Sequence, residues 1–224
     1  MTISSPISSS PEDSGWLLAL HSSSEQLGVA VLPWPEPPGS APLAAARLQA
    51  FATGRDLANQ LLLCLEALLP APNWPRLQRL AVATGPGGFT STRLTVVLAR
   101  TLAQQQNLPL DSRSSYHLNA LRLWRQGDAP TGPFWLFQDL PRRGRVAGLY
   151  GPDPSAQGTL LELEPPRLQD PQRPLSGPLL AAEPCLPQDV AELLAVCREG
   201  AVQQLSAPWS AVVPLYPTGP VPQG

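Results

Sequence analysis

The sequence predicts an α/β protein built around a mixed sheet, and three observations carry that expectation. Short apolar runs and helix-length segments follow one another in the order β-β-β-α-β-α-β-α, with helices crossing between strands. One buried-strand run, Leu77 to Thr84, ends in a glycine turn that opens a helix. Proline supplies 29 of the 224 residues, more than twice the usual ~5%, which demands long loops with fixed turns and excludes very long helices.

Each element has its own local justification. Trp16 to His21 and Leu27 to Leu32 are apolar runs around the polar turn 22–26, a hairpin pattern. A proline-rich loop, Pro33 to Pro42, leads to an expected third strand at Leu43 to Leu48. Arg55 to Leu69 reads as a helix stopped by Pro70. After the strand Leu77 to Thr84 and the turn 85–88 come a helix over Thr90 to Gln106, a strand over Leu108 to Ser112, and a helix over Ser114 to Arg125 with Ser114 or Ser115 as its cap. The breaker-rich stretch Gly127 to Pro133 is the expected domain boundary. Beyond it, strands are expected at Phe134 to Phe137 and Val146 to Tyr150, short apolar runs at Thr159 to Leu163 and Leu179 to Ala182, a helix at Gln188 to Gln203 and a final strand at Ala211 to Tyr216. The expected organisation is an N-terminal extension over 1–15, a first α/β lobe over 16–126, a smaller one over 134–217 and a tail over 218–224. The extension is Ser/Pro-rich and is read as disordered. The proline stretches are read as loops rather than as ligands for PxxP-binding domains.

Composition excludes several function classes. Charged residues make up only 14% of the chain, against ~25% in an average protein. The net charge of −2 lacks the basic excess of a self-sufficient nucleic-acid binder, so contact with RNA would need help from another protein. All fifteen basic residues are arginine. Without lysine there is no Walker-type phosphate loop, Schiff-base lysine or kinase strand lysine. The three cysteines, Cys64, Cys185 and Cys197, form no CxxC pair, which suits a reducing compartment. His21 and His117 have no zinc-binding spacing. The first fifteen residues match neither a signal nor a transit peptide, and no apolar run spans a membrane, so a cytoplasmic protein is expected.

The segment Leu80 to Arg93, with Gly85-Pro86-Gly87-Gly88-Phe89-Thr90 at its centre, joins a buried strand to a helix N-terminus. Such a junction can receive an anion, or its glycines can simply let backbone pack on backbone. These residues resemble the GPGSFTGxR signature of the TsaB (YeaZ) family, with Gly88 where that family usually has Ser and Ser91 where it has Gly. Leu18 to Ser24 with the strand Leu27 to Val31 resembles the family's LALDTS hairpin. Asn107 to Leu110 with Ser114, Ser115 and the helix to Leu123 resembles its NIPL…SSLEAL segment. Weaker echoes are Gln138 to Tyr150, similar to its DARxxEVY hairpin with an insertion, and Val213 to Tyr216.

The resemblance implies an actin/sugar-kinase/Hsp70-like fold of two ribonuclease H-like lobes, the second reduced. It implies a non-catalytic dimerisation subunit that pairs with TsaD and, with the ATPase TsaE, supports threonylcarbamoylation of the adenosine next to the anticodon. The chain alone would hold no cofactor, ATP and ADP being used by the complex, would form homodimers, and would meet tRNA only through the complex. Members of the wider superfamily place an aspartate after the first strand; here His21 stands there, which removes the expected magnesium anchor. A buried, hydrogen-bonded histidine is the reading taken, a phosphate contact the other. The paired helix histidines of TsaD have no counterpart in Arg55 to Gln60, where Leu57 replaces the single histidine common in TsaB. Asp139 with Arg142, Arg143 and Arg145 reads as a solvated hairpin cluster, a phosphate contact being the other reading. The alternative function is an ATP-dependent small-molecule phosphotransferase of the same fold.

Two helices carry more apolar residues than one buried face needs. In the first, Leu57, Leu61, Cys64, Leu65 and Leu68 form a core stripe, leaving Ala58, Leu62 and Leu69. In the second, Leu94, Val97, Leu98 and Leu102 are assigned to the core, leaving Val96, Ala99 and Ala103. The resemblance implies that the six surplus residues meet TsaD or a second copy, unless the second lobe covers them. On this reading Leu62→Arg with Val96→Glu breaks the pairing and spares the fold.

Overall fold

The computed structural model describes residues 14–156 and 158–217. The expectations for residues 1–13 and 218–224 lie outside the described residues. The first sheet contains β1 (Gly15–His21), β2 (Gln26–Trp34), β3 (Arg47–Ala52), β4 (Leu77–Ala83) and β5 (Leu110–Arg113), in the spatial order β3-β2-β1-β4-β5. β1 pairs antiparallel with β2 from Gly15↔Trp34 to His21↔Gly28, and parallel with β4. The second sheet has the order β8-β7-β6-β9, from β6 (Phe134–Leu140), β7 (Gly144–Pro152), β8 (Leu160–Leu168) and β9 (Leu179–Ala181).

Strand periodicity sorts the core onto two sides of the first sheet. Leu18, Leu20, Val29 and Val31 face a core completed by α1 (Leu57–Leu68) and α2 (Phe89–Gln106). Leu17, Ala19, Ala30 and Leu32 face the other, which is shared with α3 (Ser115–Gln126), α4 (Leu186–Val202) and the second sheet. Gly28 brings β2 against α4, where a Cβ would lie 3.1 Å from Val190 Cβ. Two ion pairs secure these contacts. Arg79 on β4 donates from Nε and Nη2, one edge of its guanidinium, to the two carboxylate oxygens of Asp111 on β5, at 2.6 and 2.8 Å, and Arg122 on α3 meets Asp189 on α4 at 2.8 Å.

Four expectations are corrected. The third strand lies over Arg47–Ala52, because tight turns occupy the loop to Ala46 and Leu43 takes a left-handed φ of 61°. α1 begins at Leu57, after a short 3-10 turn over Gly54–Asp56. β8 runs on through Pro165 and Pro166 to Leu168, which an edge strand permits because its outer N–H groups need no ladder partner. The final strand is absent. Trp209–Ala211 is a 3-10 turn, and the segment after it, broken by Pro214 and Pro217, buries Val212 in the core and bonds from the Leu215 amide to the Thr84 carbonyl, just past β4, at 2.7 Å.

Candidate functional site

The glycine turn is explained first by packing. Gly85 has φ +99°, and a Cβ there would lie 3.1 Å from the Leu215 carbonyl oxygen. Gly87 is tighter, because its Cβ would lie 2.3 Å from the carbonyl oxygen of Ser23. The backbone-on-backbone reading of these two glycines therefore needs no ligand. Gly88 is different: its Cβ would meet only Ser91 Oγ, at 2.5 Å. Phe89 stacks on Tyr216 with ring centroids 4.7 Å apart, while Thr90 and Arg93 point to solvent from the first turns of α2. Ser115 secures the turn to α3, its amide bonding to the Gly85 carbonyl at 2.7 Å and its hydroxyl to the Pro86 carbonyl.

His21, at the end of β1, is fully buried, and burial lowers its pKa to about 4, so the ring is neutral. Its Nδ1 accepts from the Ser23 amide at 3.4 Å, which places the ring proton on Nε2. Nε2 has no partner, so the expected hydrogen-bonded histidine is bonded at one nitrogen only. A neutral donor cannot replace a carboxylate toward magnesium, so the residue at this strand end does not fit a metal-bound phosphate. His117 donates from Nε2 to the Leu160 carbonyl at 3.1 Å. Among the described residues no cluster of three His, Cys, Asp or Glu side chains is placed to hold a metal. Asp139 and Arg145 are cross-strand partners in a bidentate pair at 2.7 and 2.9 Å on the exposed hairpin. No helix among the described residues is long and apolar enough to cross a membrane.

Beside the glycine turn lies a cleft of about 800 Å³. Its walls come from the β1–β2 turn (Ser23 to Glu25), the glycine turn, α3 (Ser115, Tyr116 and Asn119), the β6–β7 hairpin and the C-terminal segment at Leu215 to Pro217. Most of the lining is apolar or aromatic. No spacing in the sequence joins Ser23, Asn119 and Gln138, which come together only because both sheets pack on α3.

The surplus apolar residues divide unexpectedly. Ala58 and Leu62 are exposed as anticipated, but Leu69, Val96, Ala99 and Ala103 are fully buried in the chain's own core. The phase assigned to α2 is therefore wrong by about a third of a turn, and of the residues assigned to the core only Leu102 is fully inward. Thr92, Thr95, Val96, Ala99, Leu102 and Ala103 face inward, while Val97 is 53% exposed. Thr95 is accommodated because its hydroxyl meets Ser22 Oγ at 2.7 Å and the Thr92 carbonyl at 3.1 Å. The face left uncovered combines Leu62, 51% exposed, Leu63, 66% exposed, and Val97 with the half-buried Leu94 and Leu98. The second sheet lies on the other side of the first and does not cover it.

No family model matches the chain, and no curated protein matches it significantly. Two solved structures from Pseudomonas aeruginosa are similar in fold. One is described as an uncharacterized protein with similarity to peptidase YEAZ; it has a TM-score of 0.69 and 21% identity, covering 91% of this chain and 100% of that one. The other, YeaZ, has a TM-score of 0.64 and 21% identity, covering 90% and 99% of the two chains. The glycine segment and opening hairpin pointed to the same proteins. The chain thus has the mixed α/β, two-sheet fold of the YeaZ structures.

Proposed function

We infer that this chain is a TsaB-type subunit, a non-catalytic scaffold that pairs with a TsaD-type protein. With TsaE, that assembly would modify the adenosine next to the tRNA anticodon. Its two sheets are read as the lobes of an actin/sugar-kinase/Hsp70-like fold, and ATP is used by the complex rather than by this chain. The observation that carries the proposal is the exposed apolar face of Leu62, Leu63 and Val97 on adjacent helices α1 and α2. Large apolar side chains left exposed on two packed helices are the kind of surface a partner helix pair buries. The neutral, buried His21 at the first strand end supports a scaffold over the alternative phosphotransferase.

The test is a pull-down of TsaD, with sedimentation of the isolated chain, for wild type and for Leu62→Arg combined with Val97→Glu. The wild-type chain should capture TsaD and self-associate when alone, and the variant should do neither. Capture by the variant places the interface elsewhere. Magnesium-dependent ATP turnover by the isolated chain would establish the phosphotransferase instead.

A further inference from the structure

We propose that a second cleft, between the start of α3, β8 and the C-terminal segment, binds a free amino acid with an apolar side chain, its ammonium on Glu162 and its carboxylate toward Arg113. No residue of α1 or α2 lines this cleft, so the site is independent of any partner there.

The cleft has a volume of about 510 Å³, within the range of small-molecule sites. Its lining holds one anion, Glu162, and one cation, Arg113. His117, also in the lining, is neutral at neutral pH, because burial lowers its pKa. Four glutamates among the described residues are half-buried. Glu36, Glu164 and Glu192 pair with arginines, and Glu162 alone does not. Its Oε1 is held by two hydroxyl donors, Ser114 Oγ at 2.5 Å and Tyr150 OH at 3.2 Å. Its Oε2 makes no hydrogen bond and is not among the fully buried atoms left without a partner, so it is open to a ligand. A carboxylate partly withdrawn from water, oriented and without a counter-charge is a ready acceptor for a charged donor.

Arg113 fixes the other end of the ligand. It immediately precedes Ser114, whose hydroxyl holds Glu162, so its backbone stands within about 10 Å of the carboxylate. Its guanidinium is exposed, donates to the Ser112 carbonyl at 2.8 Å, and makes no ion pair among the described residues. Two opposite charges thus share one cleft without meeting. A simple amine there would face Arg113 as a like charge, and a simple carboxylate would face Glu162. An amino acid satisfies both, because its ammonium and carboxylate sit on the same carbon. Leu161, Val213, Pro214 and Leu215 supply apolar lining for its side chain.

The test uses L-leucine, with isoamylamine, which lacks its carboxylate, and isocaproate, which lacks its ammonium. Binding to the full chain is followed by NMR through the ring signals of His117, with each affinity measured by titration. Leucine should bind in the millimolar range, shift the His117 signals, and bind about fivefold or more tightly than either comparator, the effect of one net hydrogen bond. Arg113→Gln, at an exposed position, should erase the advantage of leucine over isoamylamine. Glu162→Gln keeps an acceptor for Ser114 and Tyr150 and should erase the advantage over isocaproate; circular dichroism melts check that both variants fold. Absence of leucine binding would overturn the proposal. So would a comparator that binds as tightly as leucine, because the cleft would then read one charge or apolar area alone, or a preference for leucine that survives both substitutions in folded chains. If Glu162→Gln does not fold, the three probes on the wild-type chain and on Arg113→Gln decide the same question.

Discussion

Gly87 lies against Ser23 so closely that a Cβ on the glycine would sit 2.3 Å from the serine carbonyl oxygen. Backbone meets backbone there, so neither side can yield by rotating a side chain. Gly87→Ala should therefore separate the glycine turn from the β1–β2 turn and cost roughly 2–4 kcal/mol, in the range of severe overpacking. Denaturant unfolding measures it; an unchanged midpoint would show that the turn can move freely.

Gly88 predicts the opposite behaviour. A Cβ there meets only the hydroxyl of Ser91, at 2.5 Å. The sequence differs from the TsaB signature in the reciprocal sense, glycine for serine at 88 and serine for glycine at 91, and the structure makes these one contact. Gly88→Ser alone should destabilise, whereas adding Ser91→Gly should recover part of the loss. A double-mutant cycle should give a favourable coupling of about 1 kcal/mol; strict additivity would refute the contact.

Arg79 and Asp111 form a buried pair, and the arginine also donates to the Leu205 carbonyl at 2.8 Å. α4 can pass over this guanidinium only at a glycine, since a Cβ on Gly200 would lie 2.5 Å from Arg79 Nη2. Asp111→Ala leaves a buried cation without its carboxylate and should cost about 3–5 kcal/mol. Replacing both partners with apolar residues should recover much of it. Thermal unfolding of the single and double variants distinguishes the two results.

His21 should make stability fall on acidification. Its folded pKa is lowered to about 4 from the ordinary 6.5 by burial, so between those values the unfolded chain binds more protons. Its contribution is complete above about pH 6.5 and is lost as the pH falls toward 4, by on the order of 3 kcal/mol. His117, also lowered chiefly by burial, acts in the same direction. His21→Gln should flatten the pH dependence of unfolding in this window without abolishing it; an unchanged slope would mean that His21 titrates alike in the folded and unfolded chain.

Val96 and Val97 should respond oppositely to charge. Val97→Glu places a carboxylate in solvent and should change stability by no more than ~0.5 kcal/mol. Val96→Glu puts it in a fully buried site and should unfold the chain or cost several kcal/mol. Circular dichroism melts of the two single variants check the phase of α2 directly, without any partner.

Local sequence sets most of the succession of elements, up to α4 but not the segment after it, because apolar runs, prolines and glycine turns act on nearby backbone. The hairpin from Trp16, the strand before the glycine turn and the helix capped by Ser114 could all be read locally; the Ser114 hydroxyl does accept from the His117 amide at 3.0 Å. The core stripe of α1 was also legible, since Leu57, Leu61, Cys64, Leu65 and Leu68 outweigh any other face. Tertiary structure alone decided which of two apolar stripes on α2 turns inward. Both satisfy helical spacing, and the winning one contains Thr92 and Thr95, polar on paper but buried, with the Thr95 hydroxyl bonded in the fold. The cleft was equally beyond local reading, because Ser23, Asn119 and Gln138 become neighbours only when separate elements pack, and periodicity carries no information about contacts between elements.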